Sequence, residues 1–83
     1  MDAAPHTSTL RAWLIAAVGE LCQLPRERVD PGASFHSVGL NSLRAIQLIT
    51  ALSARLDRAL SPTLAWEHPS IDALAAHLEG APD

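Results

Sequence analysis

Apolar residues at Leu10, Trp13, Leu14, Ala17, Val18 and Leu21 recur every three or four positions. That spacing lines one face of an α-helix. A second set, Leu43, Ile46, Leu48, Ile49, Leu52 and Leu56, follows Asn41-Ser42, and a third, Ile71, Leu74, Ala75 and Leu78, follows Ser70. No segment alternates apolar and polar residues as a half-buried strand would. The chain has 83 residues, which is room for one small core and not for two domains or a barrel. The expected fold class is therefore all-α.

Caps and breakers set the boundaries. The first helix is expected over about 8–21, with Ser8 or Thr9 as its cap. Residues 22–40 contain Pro25, Pro31, Gly32 and Gly39 and read as a long connection. A loop of that length in so small a domain is usually functional or partly structured. Val29, Phe35, Val38 and Leu40 are its apolar pegs, and Ser34 to Val38 suits a helical turn. The second helix starts at Asn41-Ser42, fades near Leu56–Arg58 and is broken by Ser61-Pro62. Its apolar positions cover more than one stripe, which places it centrally or against a partner. Residues 63–69 hold one short turn, and Ser70 caps a last helix that Gly80 ends. The whole is a four-helix bundle with three main helices, one short helix and a long first loop. The domain is expected over 8–79, with tails at 1–7 and 80–83.

Charge and residue chemistry exclude several functions. The formal net charge is −3, and nucleic-acid modules usually carry a basic excess. A helix-turn-helix DNA binder is therefore disfavoured. The single Cys22 has no internal disulfide partner, and His6, His36, His68 and His77 do not flank it at metal-ligand spacing. His36 and Ser42 do not form a hydrolytic pair of the Gly-x-Ser-x-Gly type, because Arg44 stands at the second Gly. Residues 12–18 are apolar but too few to span a membrane, and Asp2 stands where a signal peptide would be basic. The expectation is a cytoplasmic, non-catalytic domain that binds no metal, nucleic acid or membrane and is monomeric when isolated.

The informative stretch is Gly39-Leu40-Asn41-Ser42-Leu43. Ser42 is placed at the start of the second helix, where unpaired N–H groups and the helix dipole favour a phosphate. Gly39 allows a sharp turn that leaves the hydroxyl open. By itself the stretch also suits a plain N-cap and turn.

The wider order of residues is Phe35-x-x-x-Gly39-Leu40-x-Ser42-Leu43, then Leu43-Arg44-Ala45-Ile46-Gln47-Leu48, then Ala65-Trp66-Glu67-His68-Pro69-Ser70, then Leu74-Ala75-x-x-Leu78. Over about residues 8–79 this resembles the acyl carrier domains of modular polyketide synthases. The resemblance implies that a phosphopantetheinyl transferase attaches 4′-phosphopantetheine from coenzyme A to Ser42. It implies that the arm carries acyl intermediates as thioesters. Acyltransferase, ketosynthase or other synthase domains would be its partners. Gly39, Leu40, Asn41 and Leu43 would frame the attachment site. Leu43, Ile46 and Ile49, together with Ile71, are expected to border a groove for the arm or its acyl chain. The family usually has Asp before the serine, where this chain has Asn41. Asn still caps a helix but offers no charge to a transferase. Leu48 stands where carriers devoted to β-branching tend to have Trp. Arg44, Arg55 and Arg58 against Asp57 leave this segment at +2 (three minus one), which disfavours a strongly basic docking surface. Two alternatives stay open. One is a peptidyl carrier of a nonribosomal peptide synthetase, although Leu40 replaces the second Gly of its usual motif. The other is an arm-free helical docking domain.

Overall fold

The computed structural model describes residues 6–80. Helix α1 spans His6–Cys22, α2 Ser42–Leu56, α3 Leu64–Glu67 and α4 Ile71–Gly80. One 3-10 turn, Arg26–Arg28, interrupts the long first loop. The expected bundle of three main helices and one short one is what forms. Helix α1 begins earlier than the caps suggested, so His6 and Thr7 are helical rather than tail. Residues 1–5 and 81–83 of the two expected tails lie outside the described residues.

The three apolar stripes meet in one core. Leu14 and Val18 from α1, Leu48 and Leu52 from α2, and Ile71 and Leu74 from α4 are all essentially inaccessible. Helix α1 packs most extensively on α4, and α3 lies on α2. The loop pegs behave as expected: Val29, Phe35 and Leu40 are buried, and Val38 is half-buried against them.

Backbone hydrogen bonds fasten the loop to the far end of the chain. The Phe35 N–H donates to the Pro69 carbonyl at 2.7 Å, and the Asp72 N–H donates to the Pro31 carbonyl at 2.9 Å. An Arg11–Asp72 ion pair at 2.7 Å adds an exposed tie between α1 and α4. Exposed pairs contribute at most about 1 kcal/mol, so the buried pegs and the two backbone bonds hold the loop. Ser70 caps α4 as expected, its hydroxyl accepting the Ala73 N–H at 3.1 Å.

Helices α1 and α2 end alike. Gln23 and Asp57 adopt positive φ of 58° and 55°. The Leu24 N–H reaches the Gly19 carbonyl at 2.8 Å, and the Arg58 N–H reaches the Ser53 carbonyl at 3.1 Å. Each is the six-to-one bond of a Schellman cap, formed here without glycine. At the first cap the chain folds tightly over Gly19. A Cβ there would meet the Leu24 carbonyl oxygen at 2.9 Å and Val29 Cγ2 at 3.5 Å. Helix propensity alone would favour Gly19→Ala by up to about 1 kcal/mol. The backbone oxygen cannot yield without breaking the cap, so the substitution is expected to destabilise by about 1–3 kcal/mol, as overpacking does. Thermal unfolding followed by circular dichroism checks the sign.

Candidate functional site

Asn41 sets the local geometry. Its extended backbone, φ −88° and ψ −179°, precedes the first turn of α2, and its Oδ1 accepts the Arg44 N–H at 2.8 Å. This is the N-cap bond expected of Asn at that position. Gly39, at φ +99°, makes the turn that delivers the chain to the cap. No atom lies within 4 Å of a Cβ built there, so its requirement for glycine is one of backbone angle and not of space.

Ser42 is the first residue of α2 and is exposed. Asn41 satisfies one first-turn donor, and the opening N–H groups of an α-helix have no intrahelical acceptor. A phosphate on the Ser42 hydroxyl therefore meets free N–H donors and the positive end of a helix of 15 residues. Both Asp and Asn cap well, so Asn41→Asp is expected to leave stability within about 0.5 kcal/mol, whereas Asn41→Ala loses about 1 kcal/mol. Urea unfolding of the two variants separates these outcomes.

Beside Ser42 lies an open cavity of about 330 Å³. Phe35, Leu40, Ala45, Ala65 and Trp66 wall it, and Ser34 and His36 add polar edges. The loop supplies one wall and α3 the other, held together by the Phe35–Pro69 bond. Trp66 stands at the rim, 53% exposed.

The strip expected to border the groove is placed differently. Leu43 is 63% and Ile46 41% exposed, while Ile49 and Ile71 are core residues at 2% and 1%. None of the four lines the cavity beside Ser42. Leu40, Asn41 and Ser42 do line it, and Gly39 lies just outside. Phe35 was expected as a peg of the loop, and neither it nor Ala65 or Trp66 was expected as a cavity wall.

A second groove, about 380 Å³, opens between α1 and α2 where Ala16, Ala17 and Ala51 are small. Trp13, expected from its stripe to be core, is instead half-buried on this groove's edge. The Arg55 guanidinium sits 5.8 Å from its ring centroid. Ser42 is not part of it. Cys22 is half-buried, and burial raises its thiol pKa while the charge of Arg44 partly offsets the rise. The cation that reaches it comes from α2, not from neighbouring Arg26. A raised pKa favours the unreactive thiol. Among the described residues no group of three or more metal-ligating side chains gathers, and no helix is long and apolar enough to cross a membrane.

Comparison with known proteins matches this geometry to a family. The family model described as a phosphopantetheine attachment site matches residues 12–78. One phenolphthiocerol/phthiocerol polyketide synthase polypeptide of Mycobacterium tuberculosis is 42% identical over 77 residues, 89% of this chain. The pikromycin polyketide synthase component PikAIII of Streptomyces venezuelae is 44% identical over 55 residues, 66% of this chain. The chain spans 4% of the length of each of these relatives. In shape it is similar to a free-standing peptidyl carrier protein from a secondary metabolic pathway of Acinetobacter baumannii. The TM-score is 0.86 at 30% identity, covering 93% of this chain and 96% of that one. Carrier domains of this family are in general non-catalytic, and those of polyketide synthases work with synthase domains. The chain belongs to the phosphopantetheine attachment family: it is an acyl carrier domain whose cofactor is a covalent 4′-phosphopantetheine.

Proposed function

We propose that Ser42 is the serine that takes the arm, and that the domain serves a polyketide synthase by presenting acyl intermediates to its enzymes. The observation that carries this reading is an exposed serine hydroxyl at the N-terminus of α2, beside an apolar-walled cavity. When bound, the arm supplies a terminal thiol that holds acyl groups as thioesters. This chain's own residues do the rest. Asn41 secures the helix start by its bond to the Arg44 N–H. Gly39 turns the backbone so that Ser42 faces outward. Phe35, Leu40 and Trp66 offer apolar surface within reach of the attachment point.

The domain performs no bond-making of its own in this reading. A phosphopantetheinyl transferase primes it, and acyltransferase or ketosynthase domains load and unload it. The peptidyl-carrier alternative has the likeness in shape, at 30% identity, behind it. The polyketide reading has 42% identity to a polyketide synthase polypeptide over most of the chain. Incubation with coenzyme A, Mg²⁺ and a broad-specificity transferase tests the proposal by intact mass. One added phosphopantetheinyl group per chain is the expected result. A folded protein that gains no mass would return the weight to an arm-free docking domain.

A further inference from the structure

We infer that His36 is the cationic partner of the arm's phosphate, closing on it when the imidazole is protonated and releasing it when the imidazole is neutral. The inference deepens the carrier reading and rests on it, because the phosphate is the one that priming places on Ser42.

The charge balance at Ser42 calls for such a group. A helix N-terminus carries the equivalent of about half a positive charge, and a phosphodiester carries a full negative one. The free N–H groups of α2 approach it from the helix side alone. Asn41 brings no charge. The charge of Arg44 is felt at Cys22, and Arg44 does not line the cavity.

The loop faces α2 across that cavity, and there the balance is met. Ser34, Phe35, His36 and Leu40 line the loop side, and Asn41, Ser42 and Ala45 line the other. Of the described residues that line it, His36 is the one able to carry a charge. Its position is fixed from both sides. Phe35 before it is buried, with its N–H on the Pro69 carbonyl and its own carbonyl accepting the Leu40 N–H at 2.9 Å. Ser34 Oγ accepts the Ser37 N–H at 3.1 Å, and the Gly39 N–H donates to the His36 carbonyl at 3.1 Å. These bonds use the backbone and the serine hydroxyl of the turn, not the imidazole, and His36 is exposed.

The acids and histidines of the neighbouring elements are engaged elsewhere. Glu67, beside Trp66 on α3, accepts a hydrogen bond from Thr63 Oγ1 at 3.0 Å, Asp30 accepts the Gly32 N–H at 2.9 Å, and Asp72 pairs with Arg11. His68 stacks on His77 with ring centroids 4.0 Å apart. None of these lines the cavity. Histidine changes charge between about pH 5 and 8, and a hydrogen bond from an imidazolium to a phosphate oxygen is of the stronger, charge-assisted kind. The root of the arm is therefore held against the loop in mild acid and swings free above neutrality.

Phosphorus NMR of the primed protein tests this, because a phosphodiester has no proton of its own to lose near neutrality. Priming is first established by intact mass. Spectra are then followed from about pH 5 to 7.5, below the range in which the arm's thiol titrates. The expected result is a phosphorus resonance that moves with pH in the parent and stays fixed in His36→Gln. In His36→Arg it should also stay fixed, but toward the acid-limit position of the parent. The Gln variant keeps every other histidine, so the loss assigns the titration to His36. The Arg variant restores the charge without the titration, which a merely structural role would not reproduce. His36 lies outside the helices and is exposed, so circular dichroism should be unchanged in both variants. Should His36→Gln lose its helix signal, the parent and His36→Arg carry the test. A flat parent trace, a Gln variant that titrates like the parent, or a His36→Arg resonance at the alkaline limit would each overturn the inference. A protein that is primed but shows a pH-independent resonance loses only the His36 contact and keeps the carrier reading. One that is folded and never primed loses the carrier reading, and the contact with it.

Discussion

Ser42→Ala is expected to abolish the mass gain from coenzyme A completely while leaving the fold intact. The two halves of that result have separate physical causes. Loss of priming follows because, among the described hydroxyls, that of Ser42 alone both opens a helix and lines the cavity walled by Phe35 and Trp66, whereas Thr7, Ser8 and Thr9 in the first turn of α1 do not line it. Ser34 and Ser37 bond each other at 2.9 Å, and Ser61 and Thr63 do so at 2.8 Å. Ser53 and Ser70 accept the backbone N–H groups of Leu60 and Ala73. Thr50 is exposed but lies inside α2, away from the free donors of its first turn. Retention of the fold follows because the cap belongs to Asn41, and alanine is the best helix former. The melting temperature should therefore change by no more than a surface substitution allows, about 0.5 kcal/mol in stability. Residual mass gain in the variant would show that another residue takes the arm. Loss of priming together with loss of helix would show that Ser42 was structural.

Helices were legible here because their signals are local. Periodicity, the Asn41 and Ser70 caps and the Ser61-Pro62 break each depend on residues a few positions apart. The cavity was not, because its walls come from the loop and from α3, joined by a backbone bond between Phe35 and Pro69. Nothing in the spacing of Phe35 and Trp66 announces that bond. The misplaced strip has a geometric cause. Leu43, Ile46 and Ile49 are each three residues apart, and an α-helix has about 3.6 residues per turn, so each step slips about 60° around the axis. Exposure falls along the series, from 63% to 41% to 2%, as the strip rotates from solvent into the core. Three apolar residues at that spacing are therefore two surface positions and one core position, not one groove wall. Trp13 fails for a related reason. Its register on α1 is correct, but Ala16 and Ala17 beside it on the same helix and Ala51 on α2 are too small to close over it.

The same contrast between stripe and surface fixes the largest stability effect. Leu14→Ala removes a side chain with no exposed area at the packing of α1 against α4. Large-to-small substitutions at such sites cost about 2–5 kcal/mol, the transfer of the lost atoms plus the cavity they leave. A single core in a chain this short supplies only about 3–5 kcal/mol in all. The variant should accordingly be largely unfolded at 37 °C or melt far below the parent, since each kcal/mol shifts the midpoint of such a small domain by about 4–8 °C. Leu43→Ala deletes the same atoms from a position 63% exposed, and its cost should stay within about 0.5 kcal/mol. Circular dichroism melts of the two variants, run side by side, decide the matter. If both were equally damaging, Leu43 would be part of the core in solution, and α2 would no longer present an apolar surface beside Ser42 for a partner to cover.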